Sequence, residues 1–158
     1  MPKITPFLWF DTQAEEAANF YVSIFKNSKL GKITRYGTAG QEIHSRAPGS
    51  VMTIEFELDG QPFTALNGGP MFKFNESISF SVHCQDQAEI DYYWEKLTAG
   101  GDPAAQQCGW LKDKFGLSWQ IVPANLGQLL HGSPEKSNRV LQALMPMKKL
   151  DIKTLEDA

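Results

Sequence analysis

The side chain of Gln120 stands in an apolar segment, "DKFGLSWQIVP", that runs from Asp113 to Pro123. A carboxylate at this position could hold a metal ion or move a proton, whereas a neutral amide does neither well. The residue type at position 120 therefore bears directly on whether this protein is an enzyme or a binding protein.

Histidine and cysteine give little sign of a reactive centre. The three histidines, His44, His83 and His131, share no metal-ligand spacing, and we predict that they are surface or structural residues. His83 follows the alternation of its strand and could reach the rim of a cleft. Cys84 and Cys108 lack the spacing of a CxxC motif and are too few for a disulfide framework. We expect two reduced thiols without a catalytic role.

Length and charge favour one globular domain that binds neither nucleic acid nor a membrane. The chain has 158 residues, of which 42% are hydrophobic and 21% charged, and its formal net charge is −3. Such a chain offers no basic field for nucleic acid and no polybasic segment for a membrane surface. The start, "MPKITPFLWFD", lacks the apolar core of a signal peptide, and no run approaches the roughly 20 apolar residues of a membrane span. We predict a cytoplasmic protein.

The elements that position these groups occur in two similar sets. "KITPFLWF" predicts a strand, "DTQAEEAANFYVSIF" a helix, and "KITRYG", "VMTIEFELDG" and "QPFTALNG" three strands. "SISFSVHC" and "DQAEIDYYWEKLTAGG" repeat the strand and helix with a shared Gln-Ala-Glu, and "PAAQQ", "GWLKDKFG" and "LSWQIVP" follow as strands. We predict one domain over 1–158, with unit one at about 3–68, unit two at about 77–123 and a helical tail at 124–158.

A duplicated strand-helix-strand-strand-strand unit resembles the vicinal-oxygen-chelate superfamily of glyoxalase I, bleomycin-resistance proteins and ring-cleaving dioxygenases. The stretches "ITPFLWFDTQAEEAANFYVSIF", "LNGGPMFKFNESISFSVHC" and "GWLKDKFGLSWQIVP" are similar to its PhnB-like branch, often labelled a 3-demethylubiquinone 3-methyltransferase domain. The resemblance implies an α+β fold in which two βαβββ units form a curved, mixed half-barrel sheet. It places a cleft on the concave face and the helices on the convex face.

The resemblance also implies four positions at which metal-binding relatives carry ligands. In this sequence Gln120 stands at a carboxylate position and Ser77 at a histidine position. Thr5 or Pro6 represents the first strand, and Asn67 is the best polar group on the fourth. These side chains carry no negative charge to balance a divalent cation. We therefore predict that no metal and no other cofactor binds.

The methyltransferase label needs separate support. Enzymes that use S-adenosylmethionine usually carry a glycine-rich turn between a strand and a helix, followed by an acidic ligand for the ribose. The nearest glycine cluster, "GTAG" at 37–40, lies in a predicted loop between strands. We therefore do not carry methyl transfer over from the resemblance.

Strand alternation predicts the side chains that line the cleft. If Ile78, Phe80 and Val82 face the covering helix, the serines that alternate with them face the cleft. The internal repeat predicts the same alternation in the first strand, where Thr5, Phe7 and Trp9 then face the cleft. The predicted cleft residues are Thr5, Phe7, Trp9, Phe63, Asn67, Ser77, Ser79 and Gln120. As an alternative, Phe7, Trp9 and Phe63 fill the interior as core.

Three functional hypotheses follow. The leading one is a metal-free protein that binds a small organic molecule in an aromatic cleft. The second is an enzyme, either a lyase, an isomerase or a transferase, that uses an unrecognised metal site or Glu55. If the strand face of Glu55 is buried, this side chain can act as a general base. If that face is exposed, Glu55 is a solvated glutamate. The third is a structural dimer with a filled cavity. We predict a homodimer. The polar loop over 37–50 is either a lid over the cleft or disordered.

Overall fold

The computed structural model describes residues 2–158, which form two compact units that meet in sequence between Lys73 and Phe74. One sheet has four strands and the other has three, and these residues also contain six α-helices. The predicted α+β class is confirmed. No helix in the described part of the chain combines the length and the apolar character that crossing a bilayer requires.

The first unit follows the predicted order, with one short helix added between its second and third strands. Its elements are β1 (Phe7–Phe10), α1 (Ala14–Ile24), β2 (Lys29–Arg35), α2 (Gln41–His44), β3 (Val51–Leu58) and β4 (Gln61–Asn67). The strand order is β1-β4-β3-β2, and β1 runs parallel to β4 while the other neighbours are antiparallel. Asp59 and Gly60 both have positive φ and form the tight turn between β3 and β4.

Helix α1 covers one face of this sheet with an apolar stripe at helical spacing. Its alanines are fully buried, and their small side chains let the helix lie close to the strands. Tyr21 stacks on Phe56 of β3 with ring centroids 6.2 Å apart, and Phe56 stacks on Phe63 of β4 at 5.3 Å. These three rings form the centre of the first core.

The second unit departs from the predicted repeat in one strand. It contains β5 (Ser79–Cys84), α3 (Gln87–Thr98), β6 (Trp110–Lys112) and β7 (Ser118–Pro123), with the sheet order β5-β7-β6. The segment "PAAQQ" forms a 3-10 turn at Pro103–Ala105, so the strand prediction there is wrong. Asp102 accepts a hydrogen bond from the Ala104 N–H at 2.9 Å, and Pro103 has no N–H for a strand ladder.

Strand β5 is also shorter than "SISFSVHC" predicts. It begins at Ser79, and Ile78 is 67% exposed instead of facing the helix. Ser77 lies outside the strand, where its backbone N–H and hydroxyl both donate to Oδ1 of Asn75. This local turn competes with strand pairing and ends the ladder before Ser77.

The tail forms three helices, α4 (Leu126–Leu130), α5 (Pro134–Leu144) and α6 (Ile152–Asp157). As the sequence predicts, α5 begins with Ser133 as N-cap, whose hydroxyl accepts a hydrogen bond from the Lys136 N–H, and Pro134 follows it. The buried residues of the tail pack on the end of β7 in one cluster: Val122, Val140, Leu144, Leu150 and Leu155. The tail is therefore part of the core of the second unit.

Candidate functional site

The connection between β6 and β7 determines which way Gln120 points. The carboxylate of Asp113 is 2% exposed, and its Oδ1 accepts from the N–H groups of Phe115 at 2.8 Å and Leu117 at 3.1 Å. Its Oδ2 accepts from Nε1 of Trp119 at 2.9 Å. The carboxylate therefore holds the turn and keeps Trp119 on the helix side, and strand alternation sends Gln120 to the opposite face.

Two rows of side chains cross this opposite face of the second sheet. Pairing of β5 with β7 and of β7 with β6 gives one row of Ser79, Ser118 and Lys112 and a second row of Ser81, Gln120 and Trp110. Serine, amide, amine and indole groups are thus gathered on one face by three strands. We call this set the polar face.

Within the polar face, the amide of Gln120 is tied to β5. Its Nε2 donates to Oγ of Ser79 at 2.9 Å, and both side chains are half-buried. The bond orients the amide, and its carbonyl oxygen has no hydrogen-bond donor among residues 2–158. A neutral acceptor of fixed direction is a typical recognition point in a small-molecule site.

A cavity of about 570 Å³ opens beside the first row. Trp110 and Cys108 contribute to its wall, and Ser118 lies in the lining with a residue exposure of only 1%. Lys112 forms an ion pair with Glu76 at the edge of this cavity. The hydrogen bond from Lys112 is the main cause that lowers the pKa of the Glu76 carboxyl below its ordinary value.

In the first unit, Phe7 lies on the sheet face away from α1, and it lines a second cavity of about 560 Å³ together with Thr5, which precedes β1. Phe7 is 62% exposed, so it does not fill the core of this unit. Trp9 is half-buried on the same face, and its indole N–H donates to the Gly69 carbonyl at 2.9 Å. Glu55 lines this cavity but is exposed, so the structure does not bury it as a general base would require.

Two predicted cleft residues lie on the opposite face. Phe63 and Asn67 share the face of Phe56, under α1, and both are buried. The assignment of Asn67 to the cleft is wrong, whereas Phe63 still contributes to the wall of the 560 Å³ cavity. Oδ1 of Asn67 accepts from the Ala14 N–H at 2.8 Å, and its Nδ2 donates to the Val51 carbonyl at 3.2 Å. Phe63 is a core residue, as the alternative interpretation predicts. For Asn67, burial is possible because its amide is hydrogen-bonded.

The donor set does not fit a metal ion. Residues 2–158 contain no group of three or more histidine, cysteine, aspartate or glutamate side chains arranged to hold one. Of the four positions that the resemblance implies, Asn67 faces away from the open side of its sheet, and Gln120 is bonded to Ser79. Ser77 is bonded to its neighbour Asn75. The positions supply no charge to a divalent cation.

The loop over 37–50 is fixed to its own unit. Nδ1 of His44 accepts from the Arg46 N–H at 2.9 Å, and the His44 ring lies 4.6 Å from that of Tyr36. Arg46 forms an ion pair with Asp11 at 3.3 Å, directly after β1. The structure therefore gives this loop definite contacts, whereas its role as a lid stays a prediction.

Comparisons with known proteins agree with this fold. The family model described as 3-demethylubiquinone-9 3-methyltransferase matches residues 2–122. A solved structure from Bacillus cereus, described as a putative 3-demethylubiquinone-9 3-methyltransferase and PhnB protein, is 37% identical. Its TM-score is 0.65, and the match covers 78% of this chain and 100% of that one. The chain belongs to the PhnB-like branch of the vicinal-oxygen-chelate superfamily.

More distant solved structures are similar to this chain in fold only. A protein from Pseudomonas aeruginosa is 19% identical with a TM-score of 0.57, over 77% of this chain and 96% of that one. The fosfomycin resistance protein FosX from Listeria monocytogenes is 14% identical with a TM-score of 0.51, over 80% and 94%. No curated protein sequence matches this chain.

The polar face contains residues that the sequence analysis did not select. Ser118 has the same strand parity as Gln120, so alternation was a usable signal for it. Lys112 joins the face through its pairing with Ser118, which the sequence alone does not reveal. Glu76 precedes β5 and reaches Lys112 only through the fold.

Proposed function

We propose that this PhnB-like protein binds a small organic molecule, without a metal ion, through the polar face of its second unit. The observation that supports this most directly is the 2.9 Å hydrogen bond from Gln120 to Ser79. It fixes an uncharged amide on the same strand face as Ser118, which lines the 570 Å³ cavity, and the amide carbonyl is the acceptor for a ligand in this proposal. A hydrogen-bond donor on the ligand, such as a hydroxyl or amide group, complements that carbonyl.

The chemistry of the polar face favours recognition over catalysis. Its serine and glutamine side chains are neutral at every ordinary pH, and neither activates water or withdraws a proton without a partner base. The amine of Lys112, the charged member of the face, is held in an ion pair with Glu76. Glu55, the carboxylate considered for an enzymatic alternative, is exposed and lies in the first unit. These residues therefore favour binding of a small molecule over catalysis.

Methyl transfer, which appears in the description of the family model, has little support in this chain. The connection from β1 to α1 is Asp11-Thr12-Gln13, and the one from β5 to α3 is Gln85-Asp86. Neither contains a glycine, whereas a nucleotide-type cofactor usually approaches the backbone at a glycine-rich turn in this place. The cluster at 37–40 does lie between β2 and α2, but α2 has only four residues, too few for the helix N-terminus that holds a phosphate group.

A ligand screen tests the proposed function. Wild-type protein and Gln120→Ala are screened against one set of small polar aromatic metabolites by thermal shift, and hits are confirmed by calorimetry. We expect hits whose affinity falls about fivefold to tenfold in Gln120→Ala, as for the loss of one ligand hydrogen bond. Gln128→Ala, at an exposed position of α4, is the matched control and should bind as wild type does. A complete lack of hits, or equal affinity in Gln120→Ala, argues against this function.

The metal content of the purified protein tests whether it is metal-free. Protein purified without chelators is analysed for zinc, nickel, iron and manganese, and we expect each to be far below one equivalent per chain. The variant Gln120→Glu adds a single anionic ligand and should still bind zinc only weakly. A stoichiometric metal in the wild-type protein would contradict the proposal and reopen the enzymatic alternative.

We also propose a cytoplasmic homodimer. Support comes from two apolar side chains that the first unit leaves exposed on one face of its edge strand β2, Leu30 at 41% and Ile33 at 41%. Monomeric proteins rarely expose such residues together, and a two-fold pair is the commonest closed assembly. The apolar stripe of α5 gives no such support, because Val140 and Leu144 are buried within their own unit.

A further inference from the structure

Ser118 is buried on the polar face and lacks a hydrogen-bond partner for its hydroxyl. Its residue exposure is 1%, and its Oγ is the one buried side-chain polar atom without a partner among residues 2–158. A buried hydroxyl without a partner lowers stability, so folded proteins seldom leave one in place. Ser118 also lies in the lining of the 570 Å³ cavity, so a rotation of its short side chain would let a ligand supply the missing hydrogen bond.

The neighbour of Ser118 in its row is a cation, Lys112, whose one ion-pair partner among residues 2–158 is an exposed carboxylate. Lys112 pairs directly with Ser118 across β6 and β7, and its side chain is 28% exposed. Its ion-pair partner, Glu76, is 62% exposed and lies in the segment before β5. An ion pair with such an exposed member contributes little to stability, so another carboxylate can replace it at small cost.

These two observations indicate the class of ligand. We propose that the cavity binds the carboxylate of a small aromatic acid, which displaces Glu76 from Lys112 and accepts a hydrogen bond from Ser118. The aromatic part packs on the indole of Trp110, which lines the same cavity. Exchanging one carboxylate for another keeps the charge on Lys112 balanced, and the charge-assisted bond gives the ligand its direction. This inference rests on the proposed binding function and specifies the ligand for its polar face.

Benzoate is the probe, and uncharged benzamide, of the same shape, is its control. Binding to the full-length protein is followed by tryptophan fluorescence and by NMR chemical shifts of Lys112 and Ser118. We expect benzoate to bind better than benzamide. Glu76→Gln should tighten benzoate about threefold to tenfold by removing the competing carboxylate, and should leave benzamide unchanged. Lys112→Met should weaken benzoate at least about tenfold.

Ser118→Ala separates a ligand role from a structural one. It should weaken benzoate about threefold to tenfold while the melting temperature stays level or rises, since an unpaired buried hydroxyl is removed. Gln120→Ala is measured in parallel. Benzoate affinities that are equal in wild-type protein, Lys112→Met and Glu76→Gln would overturn the inference. If screening hits still depend on Gln120 in that case, the proposed function survives without the acid.

Discussion

Asn67 on β4 holds the first residue of α1, because its Oδ1 accepts a hydrogen bond from the Ala14 N–H at 2.8 Å. The first N–H groups of a helix have no partner within the helix, and Gln13 at the N-cap supplies none from its side chain. Asn67 also donates through Nδ2 to the Val51 carbonyl at the start of β3. One buried amide thus joins a helix and two strands.

Replacement of Asn67 should destabilise the protein. We expect Asn67→Ala to lower the free energy of unfolding by about 1–3 kcal/mol, because it leaves a buried N–H and a carbonyl without partners. The matched variant is Gln120→Ala, which removes an amide from the half-buried polar face and should cost less than about 1 kcal/mol. Urea unfolding monitored by circular dichroism gives both values. Equal losses would mean that Gln120 is as structural as Asn67.

The indole N–H of Trp119 should contribute measurably to stability. It donates to the buried carboxylate of Asp113, so Trp119→Phe removes a charge-assisted bond and part of the ring, at a cost of about 2–4 kcal/mol. Trp110→Phe makes the same chemical change on the half-buried polar face and should cost less than half as much. If thermal and urea denaturation rank the two variants in the reverse order, the assigned role of Asp113 is wrong.

The absence of a side chain at Gly68 leaves room for the indole ring of Trp9. A Cβ at Gly68 would overlap the indole ring of Trp9, whereas a Cβ at Gly37 meets no heavy atom within 4 Å. We expect Gly68→Ala to cost about 1–3 kcal/mol through overpacking and to change the fluorescence of Trp9. Gly37→Ala should be neutral or slightly stabilising, because it restricts the unfolded chain. A Gly68→Ala variant as stable as Gly37→Ala would show that the indole has another position.

Burial makes Cys84 sensitive to alkaline pH. Burial, together with the nearby carboxylates of Glu89 and Asp86, raises the pKa of the Cys84 thiol from 9.0 to about 12. The unfolded chain therefore ionises first, so this stabilising contribution is intact below pH 9 and is lost as the pH rises towards 12. The free energy of unfolding should fall by about 1 kcal/mol per pH unit in that range through this group.

One variant isolates that effect. Cys84→Ala should reduce the alkaline loss of stability by the stated amount. Native Cys84 should also react with iodoacetamide far more slowly at pH 8 than it does in urea, since the thiolate is the nucleophile. Identical slopes in wild-type protein and Cys84→Ala would contradict the assignment.

Assembly can be measured directly. Light scattering at micromolar concentration should give a mass near twice the 17.7 kDa of one chain. If the exposed apolar residues of the first sheet form the contact, Ile33→Asp should shift the population towards the monomer, because a charge is costly in an apolar interface. Leu141→Asp, on the exposed side of α5, is the control and should leave the mass unchanged. A wild-type monomer would refute the homodimer.

The sequence alone determined the local structure where hydrophobic periodicity and capping agree. The apolar spacing of α1 and the Ser133-Pro134 start of α5 depend on neighbouring residues only, and both match the structure. The segment "PAAQQ" was misread because the side chain of Asp102 bonds the backbone at Ala104 and produces a 3-10 turn instead. The family was also recognisable from its motifs, as the match over residues 2–122 shows.

Tertiary structure decided which side of each strand is open. Alternation separates two faces but does not say which one a helix will cover, and in β4 both faces mix polar with apolar residues. Pairing of Phe63 with Phe56 places Asn67 under α1, where partners from α1 and β3 bind its amide. Likewise, Ser118 meets Lys112 only through antiparallel pairing, because residues six apart in sequence become neighbours once β6 and β7 fold together.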